Sequence, residues 1–208
     1  MIRVVDLTAH VPGFALDRIT FVVPSGAVGV VTGPTGAGKT TLLETLAGVR
    51  DSSAGTVMLG ATDVTRLSPE HRNVGLVYQQ AWLFPHLTVR QNIAYAAVRN
   101  ATVSELIALL HLAPLIGKPL STLSGGERQL VALARSLARE PRALLLDEPF
   151  AAMDSVLRHE VRTTVLSWAA ARGITTLLVT HDASEAELLG SVQLRIDGGV
   201  LATVTSHY

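Results

Sequence analysis

The residues with the plainest chemistry are Gly33-Pro34-Thr35-Gly36-Ala37-Gly38-Lys39-Thr40, which fit the phosphate-binding pattern GxxxxGK[ST] at every position. Glycines at 33, 36 and 38 let the backbone enter conformations closed to residues with a Cβ, so successive N–H groups can turn inward on an anion. A helix beginning at Thr40 adds the partial positive charge of its N-terminus. In that pattern Lys39 reaches the β and γ phosphates of a nucleotide, and the Thr40 hydroxyl takes one position around Mg²⁺. The plainer alternative is a glycine-rich turn before a helix. Strand, loop, lysine, hydroxyl and helix in that order argue against it.

Other residues complete such a site. Ala143 to Leu146 reads as a strand buried on both faces that ends in Asp147-Glu148. Adjacent strand residues point to opposite faces, but at a strand end the backbone can turn both carboxylates to one site. Asp147 would hold Mg²⁺ through a water and Glu148 would polarise an attacking water; the rival reading is solubilising charge. Gln79 and His181 each follow a strand-like run. Either could be ordinary strand-end chemistry, or Gln79 could bond a water and His181 the γ-phosphate, since ligands of open α/β sheets bind outside the carboxyl ends of the strands. Ser124-Gly-Gly-Glu127 is spaced as a capping box, yet two glycines in a first helical turn cost roughly 1 kcal/mol each against alanine. They make sense if another body packs on that backbone or a phosphate meets its free N–H groups. Asp154 is either a plain N-cap or part of a subunit contact. Phe14 or His10 could stack on a base; a surface turn is the alternative.

The elements that must position these residues follow from periodicity. Residues 2–8 and 19–23 are expected as strands joined by a turn at 10–14, then 28–32, a helix over 40–47 stopped by Gly48, and strands over 56–59 and 74–78. From 80 to about 138 the pattern turns helical, with capping boxes expected at Thr88–Gln91 and Thr102–Glu105, which suggests an inserted lobe. Trp82, Phe84 and Leu87 form a dense apolar group, read as core by default or as a partner-binding patch. Residues 174–180 are a further strand, and 192–196 with 200–205 a hairpin.

Composition narrows the class. Apolar residues make up 48% of the 208 and mean hydropathy is +0.37, but no run approaches the roughly eighteen apolar residues of a membrane span. Met1 to Leu7 alternates like a strand and lacks the layout of a signal peptide, so a soluble, cytoplasmic chain is expected. Seventeen basic and seventeen acidic residues leave no electrostatic footprint for nucleic acid or anionic lipid. The absence of cysteine excludes disulfides, thiolate metal sites and cysteine nucleophiles.

Taken together, residues 33–40, 79, 123–127, 143–148, 151–154 and 181 resemble the nucleotide-binding subunit of ABC transporters over nearly the whole chain. They resemble, in order, its Walker A motif, Q-loop, LSGGQ-type signature, Walker B motif with its glutamate, D-loop and switch histidine. The resemblance implies an α/β P-loop NTPase core with a mostly parallel sheet, an N-terminal antiparallel β subdomain and an inserted α-helical subdomain. All would lie in one ATPase domain over 1–208, with the core at about 1–79 and 139–208 and the helical part at about 80–138. It implies ATP and Mg²⁺ as ligands, with Glu148, His181 and Gln79 catalytic and Thr40, Gln79 and Asp147 around the metal. Nucleotide would be contacted by Gly33, Pro34, Thr35, Gly36, Ala37, Gly38, Lys39, Thr40 and Thr41, by His10 or Phe14, and by Ser124, Gly125, Gly126 and Asp154 across a head-to-tail homodimer.

Further implications concern partners. Residues near Gln79 to Leu87 would meet a transmembrane permease, placing the chain on the inner face of the cell membrane, with a solute-binding protein outside and no nucleic acid partner. Leu83 to Val89 resembles importers of molybdate, sulfate, polyamines or thiamine. Many of these carry a C-terminal regulatory domain; with the chain stopping at Tyr208, regulation through it is not expected. An exporter or lipoprotein-release ATPase is the alternative, and a soluble non-transport ABC ATPase a more distant one. The sequence departs from the family at His10, where a larger aromatic is usual, at Glu127 for glutamine and at Met153 for leucine. None of these removes a catalytic group.

Overall fold

Ile2, Val4, Leu7 and Ala9 are the buried apolar residues of the first strand, β1 (Ile2–Val11), and their spacing changes phase between Val4 and Leu7. An unbroken strand would send Leu7 and Ala9 to the face opposite Ile2 and Val4. A bulge absorbs the extra residue: Asp6 adopts a φ of 48° and the pairing with β2 (Phe14–Val23) shifts register there. β2 changes phase in the same way at Arg18, φ 46°, between buried Leu16 and Ile19. Both strands therefore run longer than the expected 2–8 and 19–23. Alternation alone stops at the bulges, and the turn shrinks from 10–14 to Pro12 and Gly13.

The computed structural model describes residues 1–181, 188–189 and 191–206. Next along the chain come β3 (Val28–Thr32), α1 (Lys39–Ala47), β4 (Ala54–Leu59), β5 (Thr62–Asp63) and β6 (Val74–Val77). Three helices follow, α2 (Val89–Ala94), α3 (Asn100–Leu109) and α4 (Gly125–Ala138). Then come β7 (Ala143–Asp147), α5 (Ser155–Ala171), β8 (Thr175–Val179), β9 (Val192–Asp197) and β10 (Val200–Ser206). One sheet has the order β2-β1-β4-β5 and is antiparallel; the other has the order β10-β9-β3-β8-β7-β6, parallel except for β10. The expected mixed α/β architecture with an N-terminal antiparallel sheet is the one observed.

Every residue of β7 and β8 is buried, as strands covered on both faces must be. Successive residues of β7 feed two cores. Leu144 and Leu146 pack with Ile93, Leu106, Leu133 and Leu137 of the helices, while Ala143 and Leu145 join Leu42, Leu46 and the first sheet. Leu130, Leu133, Ala134 and Leu137 form the buried stripe of α4 at helical spacing. In register, Val31 and Asp147 both lie beside Val179, so β3, β7 and β8 end together at one edge. No helix among the described residues is long and apolar enough to cross a membrane.

The capping box at Thr88–Gln91 forms, but the one expected at Thr102–Glu105 does not. α3 starts earlier, at Asn100, and both side chains are drawn to distant partners: Thr102 Oγ1 donates to Glu140 at 2.7 Å, and Glu105 accepts from Trp168 Nε1 at 2.9 Å. Trp82 is 64% exposed, contrary to the default core reading, whereas Phe84 is half-buried against Tyr95 with ring centroids 4.3 Å apart.

The C-terminal end of α1 is closed by Gly48 in the left-handed region and by Arg72, a 5% exposed side chain. Arg72 Nη1 donates to the carbonyls of Thr45 and Leu46 at 2.9 and 3.0 Å, Nε to Leu67 and Nη2 to Thr65. These bonds satisfy carbonyls that a helix end leaves free. A cation bonding four neutral acceptors contributes more than ordinary bonds, so Arg72→Met is expected to lower unfolding free energy by about 2–4 kcal/mol in urea titrations, with Arg72→Lys recovering less than half.

Candidate active site

The loop from 33 to 38 is shaped by close approach. A Cβ on Gly33, whose φ is +147°, would lie 2.1 Å from the Ile196 carbonyl oxygen, and one on Gly38, φ +104°, would lie 2.5 Å from Phe14 Cζ. β9 and the β1–β2 hairpin thus press on the loop from two sides, and Gly199 N–H donates to the Ala37 carbonyl at 3.2 Å. Lys39, the first residue of α1, places Nζ 2.9 Å from the carbonyls of both Gly33 and Pro34, so its charge is folded back over the loop.

Thr40 Oγ1 donates to Asp147 Oδ2 at 2.6 Å, joining the start of α1 to the end of β7. Burial pushes the Asp147 carboxyl above the ordinary carboxylate range, and the Thr40 hydrogen bond opposes this. A hydroxyl and a carboxylate oxygen side by side suit a small hard cation, which would also offset the cost of the buried charge. This donor set fits Mg²⁺.

Glu148 has a φ of +45°, uncommon for a residue with a side chain. Its N–H donates to the Val179 carbonyl at 3.1 Å and its carbonyl accepts from Ala151 N–H. The turn brings its carboxylate into the cleft that Asp147 lines, as expected of a strand end. Glu148 Oε2 lies 3.0 Å from His181 Nδ1 and 3.5 Å from Gln79 Nε2, the second a long, weak contact. With the carboxylate ionised, the His181 Nδ1 carries the proton.

The cleft measures about 330 Å³. Thr35, Gly36, Gly38 to Thr41, Gln79, Asp147, Glu148, Phe14 and Val11 line it. Gly33 and Ala37 stand behind the loop: Ala37 is 3% exposed, and the Pro34 carbonyl accepts from both Lys39 Nζ and Ala37 N–H. Of the two rings considered for base stacking, Phe14 is in the wall. His10 is exposed on β1, paired with Ala15, and is not among the lining residues; the hairpin turn falls beyond it rather than at it. Val11 was missed because the region reads as turn in sequence, and only the long form of β1 brings it to the cleft.

Ser124, Gly125, Gly126 and Asp154 form a separate group. Ser124 Oγ accepts from Glu127 N–H at 3.2 Å and Glu127 from Ser124 N–H at 2.7 Å, the expected capping box. Asp154 caps α5 through the N–H groups of Val156 and Leu157, both at 3.0 Å. A Cβ on Gly126 would be 3.3 Å from the Ala152 carbonyl oxygen, so this glycine admits the loop before α5. None of these four residues lines the cleft around Lys39. One chain thus carries two distinct groups of candidate site residues.

Residues 16–151 match the family described as ABC transporter. The chain belongs to the ABC transporter family. It is similar to the sulfate/thiosulfate import ATP-binding protein CysA of Mycobacterium tuberculosis (strain ATCC 25618 / H37Rv), 42% identical over 194 residues that cover 89% of this chain and 55% of that protein. A probable sulfate/thiosulfate import ATP-binding protein CysA of Chlorella vulgaris is 38% identical over 200 residues, covering 92% of this chain and 85% of that one. This ABC chain spans about half the length of the mycobacterial relatives it matches. Its fold is that of the ATP-binding cassette MJ0796, solved as a dimer in a post-hydrolysis state bound to ADP and Pi, with a TM-score of 0.86 at 23% identity over 99% of this chain and 98% of that one.

Asp147 generates a pH-dependent expectation. With its folded-state pKa raised above the ordinary 3.8, the native state holds this proton more tightly than the unfolded chain does. The resulting contribution to stability is complete below the unfolded value and is lost as pH rises through the folded one. In chelator-treated buffer, Asp147→Asn is therefore expected to melt above the unmutated chain at pH 7, with the gap closing toward pH 4. Thermal melts across that range check the sign.

Proposed function

We propose that this chain hydrolyses ATP at sites shared by two copies arranged head to tail, and that the reaction drives solute import through a membrane permease. The observation that carries the reading is the Glu148 carboxylate, held between Gln79 and His181 at a cleft that also contains Lys39 and the Thr40–Asp147 pair. ATP is the substrate. Its phosphates lie along the N–H groups of residues 35–41, Lys39 exchanges its two carbonyl partners for phosphate oxygens, and Phe14 meets the base.

Thr40, Asp147 and Gln79 are the residues that would hold Mg²⁺, which when bound neutralises charge on the β and γ phosphates. Glu148 orients the attacking water and accepts its proton. His181 keeps Glu148 in place through Nδ1–H and, when both ring nitrogens carry protons, donates from Nε2 to a γ-phosphate oxygen. The N–H groups at the head of α4 complete the site from the second copy, since within one chain Ser124 to Gly126 stand outside the cleft. Asp154, capping α5 beside that group, shapes the contact between copies.

The helical segment at about 80–138 is read as the lobe that meets the permease, on the cytoplasmic face of the membrane, through the stretch from Gln79 to Leu87. Exposed Trp82 in that stretch supports this. The relatives' names support sulfate or thiosulfate as the cargo class, delivered by a solute-binding protein on the far side. Sulfate-dependent ATPase stimulation in vesicles holding the permease checks the cargo.

Glu148→Gln is expected to lower kcat by at least about 100-fold while ATP affinity stays within about threefold, and to accumulate as an ATP-dependent dimer in size-exclusion chromatography. Normal turnover by this variant removes Glu148 as the base. Gly125 offers an independent check, because it is exposed and a Cβ there meets only Ala152 Cβ at an ordinary 3.5 Å. Gly125→Arg should fold with an unchanged or slightly raised melting temperature, yet lose both the ATP-dependent dimer and turnover. A fully active Gly125→Arg monomer rules out the shared site.

A further inference from the structure

A charged cavity lies at the other end of the parallel strands from Lys39. It measures about 690 Å³ and opens where Ser25 precedes β3, Arg142 precedes β7 and Ile174 precedes β8. Five-residue strands at about 3.3 Å per residue place it roughly 16 Å from the cleft already described. Its walls come from six places: Met1, the β2–β3 connection, the β4–β5 turn, the head of α3, the α4–β7 connection and the α5–β8 connection.

Three arginines line it, Arg99, Arg142 and Arg172, together with Met1 and its terminal ammonium, against one acidic residue, Glu140. Each guanidinium is held by a contact that leaves some of its five N–H donors over. Arg99 is anchored on Glu140, whose carboxyl is held below the usual range by hydrogen bonds first from Thr102 and then from Arg99. Arg172 lies 3.8 Å over the Trp168 ring and pairs with Glu105. Arg142 Nη1 donates to the Thr62 hydroxyl at 2.6 Å, and among the described residues Arg142 has no carboxylate partner. Glu140, at the hinge of this arrangement, sits at a φ of +50°, a strained backbone that its Arg99 and Thr102 contacts hold in place.

Charges set in advance on separate walls lower the ordering cost of binding, and a guanidinium fork matches a phosphate, sulfate or carboxylate edge through two parallel bonds. We propose that this cavity binds a small free oligoanion, carrying at least two such groups, with Arg142 as the central contact and Arg99 and Arg172 on its flanks. One anionic group would leave two of the three arginines unbridged; two or more can span from Arg142 to a neighbouring arginine.

Inorganic pyrophosphate is the probe, titrated by calorimetry at constant ionic strength into the full chain carrying Lys39→Ala, which silences the loop at 33–40. The expected result is one saturable equivalent, weakened at least about tenfold by adding Arg142→Ala, weakened less by Arg142→Lys, and untouched by Arg66→Ala. Circular dichroism confirms that Arg142→Ala folds, its mapped side-chain bond being to one surface hydroxyl. No saturable heat, affinity that survives Arg142→Ala, or an equal loss in Arg66→Ala overturns the proposal. Sedimentation with phosphatidylcholine vesicles containing phosphatidic acid separates the sources. Arg142-dependent pelleting would assign the cavity to a lipid headgroup and overturn the free ligand; no such pelleting, with pyrophosphate bound, upholds it.

Discussion

The end of β7 is the constraint on which the rest of the site depends. Asp147 is still in register with Val179, but one residue later the backbone of Glu148 swings to a positive φ and returns its N–H to the same Val179 carbonyl. Strand alternation would place these neighbouring carboxylates on opposite faces; the swing collects them in one cleft. Such a conformation costs of order 1–3 kcal/mol and persists only where the surroundings determine it. Here they do, because β7 is packed between β6 and β8 with helices on both of its faces.

What could be read in the sequence was local or strongly patterned. The phosphate loop is a contiguous motif, β7 and β8 are unbroken apolar runs, and the boxes at Thr88 and Ser124 involve residues three apart. The misreadings arose where a residue answers to something far along the chain. Asp6 and Arg18 absorb phase shifts that only the register of paired strands reveals. Thr102 and Glu105 have the spacing of a cap, yet Glu140 and Trp168 claim them. Val11 reaches the cleft because β1 runs past the expected start of the turn, which local alternation did not show.

The paired glycines at 125 and 126 illustrate a subtler division. Both interrupt helix propensity, and sequence reasoning assigns both to one close neighbour. Gly126 has that neighbour within the chain, the Ala152 carbonyl, while Gly125 stays exposed. Arg158 holds the loop before α5 by donating to the Met153 carbonyl at 3.1 Å, and Met153 Cγ would lie within contact of a Cβ on Gly126. The head of α4 and the entry to α5 are thereby one mechanical unit.

The loop at 33–38 owes its shape to residues from the other end of the sequence. Ile196 and Gly199 crowd it, and Gly199 also closes on the Ala15 carbonyl, so the β9–β10 turn stitches loop and first hairpin together. During synthesis, a nascent chain that has emerged only as far as α5 already displays every residue of the phosphate motif but lacks the clamp that sets it. The shape of that loop is therefore completed only once residues 196–199 have been made, long after its own residues.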